Sequence, residues 1–301
     1  MSGTETIDPT HVGLDTRSDE DILAVLTEGQ ARAIAALDRA RPALAAAASA
    51  LAARVAARGR IVYVGAGSSG VLAALDGMEL LGTYGWPIER TAFVLAFGDR
   101  LVPMTGGEED DEDAARQAIE ALGLDGDDVV IAVAASGTTP YTRAAVAEAR
   151  PSGALTIGIA NNAGAPLLAE VEIPVLLESG PEVIVGSTRM GAGTAQKAAL
   201  NLISTLAMIR LGHVYDGLMV NLRADNRKLA GRSVRMLRHI TGAGEAEAAE
   251  ALARADGSVK RAALLLRGLS PGDAEAALDA ARGNLRTALA ATDAGGAAAR
   301  S

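Results

Sequence analysis

Cysteine is absent from the 301 residues, which excludes disulfides, thiol nucleophiles and thiolate metal sites and fits a cytoplasmic protein. Aromatic residues make up only 2% of the chain against 49% apolar residues overall, so a core has to be built from Ala, Val, Leu and Ile. No apolar run reaches the roughly 18 residues that a membrane span needs. Residues 1–20 are polar and acidic, with neither a basic n-region nor an apolar h-region, and so do not read as a secretory signal. There is no basic block, and the net charge is −9. That balance argues against nucleic acid as a partner, because affinity for a phosphate backbone comes mainly from Lys and Arg clusters. The three histidines, His11, His213 and His239, are scattered, and no Ser-His-Asp arrangement is indicated.

What is present is organised around residues 61–70. Residues 61–64, Ile-Val-Tyr-Val, read as a buried strand. The strand stops at Gly65-Ala66-Gly67-Ser68-Ser69-Gly70, and a helix-compatible run follows. A strand, a glycine turn and a helix in that order make an anion site, because backbone N–H groups can approach the anion and the helix dipole favours negative charge. The spacing also fits the G-x-G-x-x-G dinucleotide fingerprint. That fingerprint wants an acid about 20 residues on to hold a ribose. Here the first acid after the second strand is Asp99, too far along. Ser68 and Ser69 are instead suited to a phosphate monoester. The alternative is a tight strand–helix turn that binds nothing.

Around this stretch strands and helices alternate. Residues 1–17 read as a flexible arm. Ser18-Asp19-Glu20-Asp21 has N-cap and first-turn chemistry for a helical stretch to residue 58, which Pro42 is expected to split. Strands are expected near 61–64, 92–97, 128–134, 154–159 and 172–176, with helices near 69–81, 111–122, 139–149 and 192–211. Apolar strands without period-2 patterning, alternating with helices, predict an α/β fold with a five-stranded parallel sheet covered on both faces. After residue 212 the strands cease. Residues 216–239 are rich in Arg and Asn, and residues 241–290 read as a small helical bundle. The Ala/Gly tail, 291–301, has the composition of a disordered segment.

Ligands on open parallel sheets bind at the carboxyl ends of the strands. Three strand ends are rich in hydroxyls or glycine: the opening loop with Gly67, Ser68 and Ser69, then Ser136-Gly137-Thr138-Thr139-Pro140, then Gly186-Ser187-Thr188 leading into a helix with Thr194, Gln196 and Lys197. Together they indicate a pocket for a phosphorylated small molecule, with helix capping as the plain alternative for each hydroxyl. Three carboxylate sets lie near them. Glu79 sits two and a half turns past Gly70 among Met78, Leu80 and Leu81, which would desolvate it and raise its pKa toward the general-acid range; a solvated surface glutamate is the alternative. The run 108–113, Glu-Glu-Asp-Asp-Glu-Asp, supplies helix N-terminal acids or places a carboxylate over the strand ends. Glu182 precedes the third turn.

Several of these pieces line up with one family. The opening loop, Leu75-Asp76-Gly77-Met78-Glu79 with Thr83-Tyr84-Gly85, Ala134-Ala135-Ser136-Gly137-Thr138-Thr139-Pro140-Tyr141, and above all residues 180–197, which end Ser187-Thr188-Arg189-Met190-Gly191-Ala192-Gly193-Thr194-Ala195-Gln196-Lys197, resemble the N-acetylmuramic acid 6-phosphate etherases. The match covers roughly residues 10 to 290. The resemblance implies a doubly wound SIS (sugar isomerase) domain, here 18–240, followed by a small helical domain, 241–290. It implies cleavage of the D-lactyl ether of N-acetylmuramic acid 6-phosphate to N-acetylglucosamine 6-phosphate and D-lactate, as in cell-wall amino-sugar recycling. By position, Glu79 matches the family's proton donor, and Glu109 best matches its second catalytic glutamate, with Asp110 as fallback. Neither a metal nor an organic cofactor is implied, and a homodimer is, because sites in SIS proteins are commonly built with residues from a neighbouring subunit.

Departures from the family pattern stand beside the match. Val71 and Thr138 occupy positions where the family usually has Arg, Gly191 one where it has Lys, and Leu80-Leu81-Gly82 replaces Cys-Pro-Pro. The N-terminal arm departs from the family's Thr-Glu-x-x-Asn pattern. Lost cations weaken anion binding through charge-assisted hydrogen bonds. Three rival readings follow: a non-catalytic SIS module that senses a sugar phosphate, an aldose–ketose isomerase with Glu182 as base, and, last, a nicotinamide enzyme.

Overall fold

The computed structural model describes residues 3–98, 106–222 and 227–298. Asp99 and residues 299–301 of the tail lie outside them. By internal contacts the chain divides into two compact units, residues 1–78 with 89–206 and residues 79–88 with 207–301.

The first unit is built on five parallel strands, β1 (Ile61–Gly65), β2 (Thr91–Leu95), β3 (Val129–Val133), β4 (Leu155–Ala160) and β5 (Ile173–Leu176), in the order β2-β1-β3-β4-β5. β1, β3 and β4 are buried along their whole length. Their continuous Val/Ile/Leu runs therefore reflect a sheet covered on both sides. Val62, Val64, Val94, Val130 and Ala132 on one face pack against α3 (Glu112–Leu122) and α4 (Pro140–Ala149). The opposite face presents Tyr63, whose hydroxyl donates to Asp76 Oδ2 at 2.7 Å from α2 (Gly67–Tyr84). Asp76 is 3% exposed. Its other oxygen accepts from Asn201 (2.6 Å) and Ser204 (3.0 Å) of α6 (Gly191–Arg210), so a buried carboxylate has three donors and ties strand to both helices. The short α5 (Pro166–Glu170) connects β4 to β5.

The long α1 (Asp19–Val55) starts where the sequence predicts, with Ser18 Oγ accepting from the Asp21 N–H at 3.2 Å. Pro42 does not split it. The proline costs one helical hydrogen bond, but Ala36, Leu37, Ala40, Leu44, Ala47, Ala48 and Leu51 form a buried stripe running through it, and that packing keeps the two halves in one helix. Residues 3–16 form three 3-10 turns. Thr4, 1% exposed, is held by Asn162, whose Oδ1 accepts from the Thr4 N–H at 3.0 Å and whose Nδ2 donates to Thr4 Oγ1 at 3.1 Å.

The second unit is helical: α7 (Arg227–Thr241), α8 (Glu245–Arg254), α9 (Val259–Leu265), α10 (Pro271–Ala280) and α11 (Leu285–Ala298). Ser258 and Ser270 cap α9 and α10. Leu237, Leu252, Val259, Leu264, Leu278 and Leu285 close its core.

Candidate active site

In the order β2-β1-β3-β4-β5 the chain leaves β1 toward one edge and β3 toward the other, so the carboxyl ends of β1 and β3 flank the switch point where open α/β sheets bind ligands. Gly65 and Val133 pair across that junction. Two of the three turns predicted to bind a phosphoester leave it.

In the first loop Gly67 starts α2 with φ +50°, and a Cβ there would lie 2.6 Å from Glu109 Oε1. Gly65 and Gly70 serve packing, since a Cβ on either would come within 2.9 Å of the other's backbone. The dinucleotide-like spacing is thus accounted for by close strand–helix contact and one left-handed residue. Ser68 is half-buried, and its hydroxyl makes no hydrogen bond among the described residues. Ser69 Oγ donates to Gln196 Oε1 at 2.9 Å, Gln196 Nε2 donates to Asn161 Oδ1 at 2.9 Å, and Asn161 Nδ2 donates to the Leu177 carbonyl at 3.2 Å and to Ser179 Oγ at 3.3 Å. Gln196 and Asn161 are 1% and 3% exposed, so this chain of amides ties the carboxyl ends of β1, β4 and β5 to α6. Sequence reasoning missed Asn161 and Asn162. The available signal was a pair of amides directly after an apolar strand.

In the second loop Ser136 Oγ accepts from the Thr138 N–H (3.1 Å) and from Thr138 Oγ1 (2.9 Å). The Gly137 N–H donates to the Ala134 carbonyl at 3.1 Å, and its own carbonyl accepts from Leu167 N–H at 3.1 Å. Thr139 takes the N-cap position of α4 without using its hydroxyl as a cap. Thr138 is exposed. In the third turn Ser187 and Thr188 are half-buried, with hydroxyls that bond to nothing among the described residues, while the Thr188 carbonyl accepts from Gly193 N–H at 2.8 Å. A Cβ on Gly186 would lie 3.2 Å from Glu5 Oε2, so the N-terminal segment reaches this turn as well as Asn162.

The carboxylates separate by environment. Of the acidic run, Asp111 caps α3 from the Ala114 N–H at 2.9 Å, while Glu112 and Asp113 pair with Arg116. Glu108 and Asp110 are exposed, whereas Glu109 is half-buried with its carboxyl against Gly67. Burial first, and the charge of Asp110 second, raise the Glu109 pKa above the ordinary carboxylate value. Glu182, 3% exposed, accepts from the Gly191 N–H (2.9 Å) and the Ala192 N–H (2.8 Å), capping α6 with both oxygens. Glu79 is exposed. The apolar neighbours expected to desolvate it do not, because Met78 is itself 54% exposed and Leu80 is turned inward at 2%. Along α2, Glu79 stands twelve residues past Gly67, about 18 Å at roughly 1.5 Å per residue. The strand-end loops and Glu109 are brought together in the first unit, while Glu79 opens the 79–88 segment of the second.

A five-stranded parallel sheet with hydroxyl-rich turns at its switch point defines a SIS-type α/β protein, and the SIS domain family matches residues 27–161. A Bacteroides fragilis protein described as a phosphosugar isomerase involved in capsule formation shares the fold, with a TM-score of 0.50 and 17% identity over 66% of this chain and 95% of that one. The relatives in sequence are more specific. The N-acetylmuramic acid 6-phosphate etherase of Deinococcus radiodurans is 47% identical over 288 residues, 95% of this chain and 94% of its own. Those of Streptomyces avermitilis and Rubrobacter xylanophilus are each 41% identical, over 96% and 95% of this chain and 93% and 95% of their own. The chain belongs to the N-acetylmuramic acid 6-phosphate etherase family.

Proposed function

We propose that this chain is a carbon–oxygen lyase that cleaves the D-lactyl ether of N-acetylmuramic acid 6-phosphate, giving N-acetylglucosamine 6-phosphate and D-lactate. The observation that carries the reading is the half-buried Glu109 carboxyl against Gly67 at the sheet's switch point, in a chain of this family. The open-chain sugar's C1 aldehyde acidifies the C2 proton, and Glu109 removes it. Lactate leaves C3 as its ether oxygen takes a proton from Glu79, and water then adds to the unsaturated intermediate. The two roles demand one ionised and one protonated carboxyl at the same pH, and so two different environments.

The phosphate is held by Gly67, Ser68 and Ser69 at the start of α2, by Ser136, Gly137, Thr138 and Thr139 before α4, and by Ser187 and Thr188. Ser68 and the third-turn hydroxyls, uncommitted among the described residues, are the best placed to donate. Glu182 supports the third turn by holding α6, which leaves it ill suited to act as an isomerase base. The sugar-phosphate site belongs to the unit of residues 1–78 with 89–206, and the helical unit, which takes in α7 and not residues 241–290 alone, is an appendage, in a cytoplasmic homodimer whose second copy supplies Glu79. The twelve-residue step along α2 from Gly67 to Glu79 supports that reading.

The test is D-lactate release from N-acetylmuramic acid 6-phosphate. Glu79→Gln and Glu109→Gln each suppress it, and unchanged release in both discards the mechanism. The absence of cations at Val71, Thr138 and Gly191 favours one second reading, a sugar-phosphate sensor. Saturable binding of the sugar phosphate without turnover would establish that reading instead.

A further inference from the structure

The end of α2, from Glu79 on, belongs to the second unit. The last carbonyls of a helix have no partner within it and must be closed from outside. Two are closed by the chain that follows. Gly85, left-handed at φ +61°, donates its N–H to the Leu81 carbonyl at 2.9 Å, and the Trp86 N–H donates to the Leu80 carbonyl at 3.4 Å. The carbonyl of Tyr84, the last residue of α2, takes two side-chain donors instead. His213 Nδ1 lies 2.7 Å from it, which puts the imidazole proton on Nδ1, and Asn221 Nδ2 donates to it at 2.9 Å. The surroundings leave this arrangement little slack. Trp86 is buried with its ring 6.3 Å from the His213 imidazole, and a Cβ on Gly85 would lie 2.1 Å from the Asn221 carbonyl oxygen.

Glu79 depends on that closure more than its neighbours do. Its carboxyl is exposed and makes no hydrogen bond or ion pair among the described residues, so the backbone beneath it decides where it stands. Leu80, the next residue, is buried, and its carbonyl is the one that Trp86 closes. Tyr84 is five residues from Glu79, about 7.5 Å at roughly 1.5 Å per residue. A helix end without its outside partners frays over that distance. Imidazole and carboxamide are short and stiff, and both meet the negative end of the helix dipole. We propose that His213 and Asn221 are positioning residues for the proton donor: by holding the Tyr84 carbonyl they hold the turn that aims Glu79 at the ether oxygen. The inference rests on the etherase reading and gives the helical unit a part in the reaction.

Glu109 acts on C2 before Glu79 acts on the ether oxygen, so the two steps can be read separately in heavy water. When only the second is slowed, the intermediate returns to substrate and C2 takes up a deuteron. The full-length chain is given N-acetylmuramic acid 6-phosphate, and both D-lactate release and deuterium at C2 of the unreacted sugar are followed. His213→Ala lowers kcat for release roughly tenfold or more, as a displacement on the order of 1 Å does, with KM little changed and exchange at C2 continuing. Asn221→Ala acts in the same direction. His213→Asn, whose amide nitrogen stands where Nδ1 stood, restores most of the release. Parental release from His213→Ala, a parallel fall of release and exchange, or no rescue by asparagine overturns the proposal. A parent chain that releases no lactate overturns the etherase reading and this inference with it, whereas a working parent beside an indifferent His213→Ala chain overturns this inference alone.

Discussion

Glu109 acquires its chemistry from two neighbours. The carboxyl is half-buried against a residue without a side chain, and Asp110 adds a second negative charge beside it. Both effects favour the protonated form, so its pKa lies above 4.5. A base must be ionised to work, so kcat/KM falls as pH drops through that pKa, and the acidic limb is expected above 4.5. Asp110→Asn removes the repulsion and should move the limb down, while burial keeps it raised. Glu109→Gln removes the base and should cost on the order of 10²–10⁴ in lactate release. Gly67 bears on the same group. An alanine there adopts a left-handed backbone at about 1–2 kcal/mol, and its Cβ would sit 2.6 Å from Glu109 Oε1. The side chain has to move, and displacements of about 1 Å can cost roughly 10² in rate. Gly67→Ala should therefore lose most activity while melting within a few degrees of the parent.

At the level of elements, sequence and structure agree where burial is continuous. The apolar runs near 61–64, 128–134 and 154–159 are β1, β3 and β4 to within a residue or two, because strands covered on both faces leave no other pattern. Pro42 misled because a proline's local penalty says nothing of the stripe that overrides it. Glu182 reads as a loop carboxylate near the strand ends because its partners are backbone amides nine and ten residues on, which residue types do not reveal. Its loss strands one buried and one half-buried donor, so Glu182→Ala should destabilise by about 2–3 kcal/mol, read in a denaturant titration. The helical unit holds a different charge. Lys260 on α9, 6% exposed, donates to the Gly283 carbonyl at 2.8 Å without a carboxylate partner among the described residues, and burial lowers its pKa from 10.5 to about 8. Between pH 8 and 10.5 the unfolded chain keeps the proton that the folded one has lost, so stability rises with pH across that window. Lys260→Met should remove the rise, as unfolding midpoints at pH 7.5 and 10 would register.

For the whole molecule the question is where the second glutamate comes from. α2 starts at the switch point with Gly67 and carries Glu79 twelve residues on, about 18 Å along the helix axis. On the way it exposes Leu75 and Met78, and with Val71 these line an apolar groove of about 650 Å³ beside β2 and Phe97. Such apolar surface along a helix is the kind that an association face buries, and the proposed dimer would use it. A two-fold dimer that covers it uses the same patch on both copies, so Glu79 of one chain can serve Glu109 of the other. Arg substituted for Met78 should then leave the chain monomeric in sedimentation and without lactate release. Mixing makes the sharper experiment. Glu79→Gln and Glu109→Gln chains, each inactive alone, are unfolded and refolded together at equal amounts. Half the dimers are then mixed, and each mixed dimer has one of its two sites intact, so about a quarter of the parent activity returns. If both glutamates served one site from the same chain, every site in the mixture would lack one of them, and nothing would return.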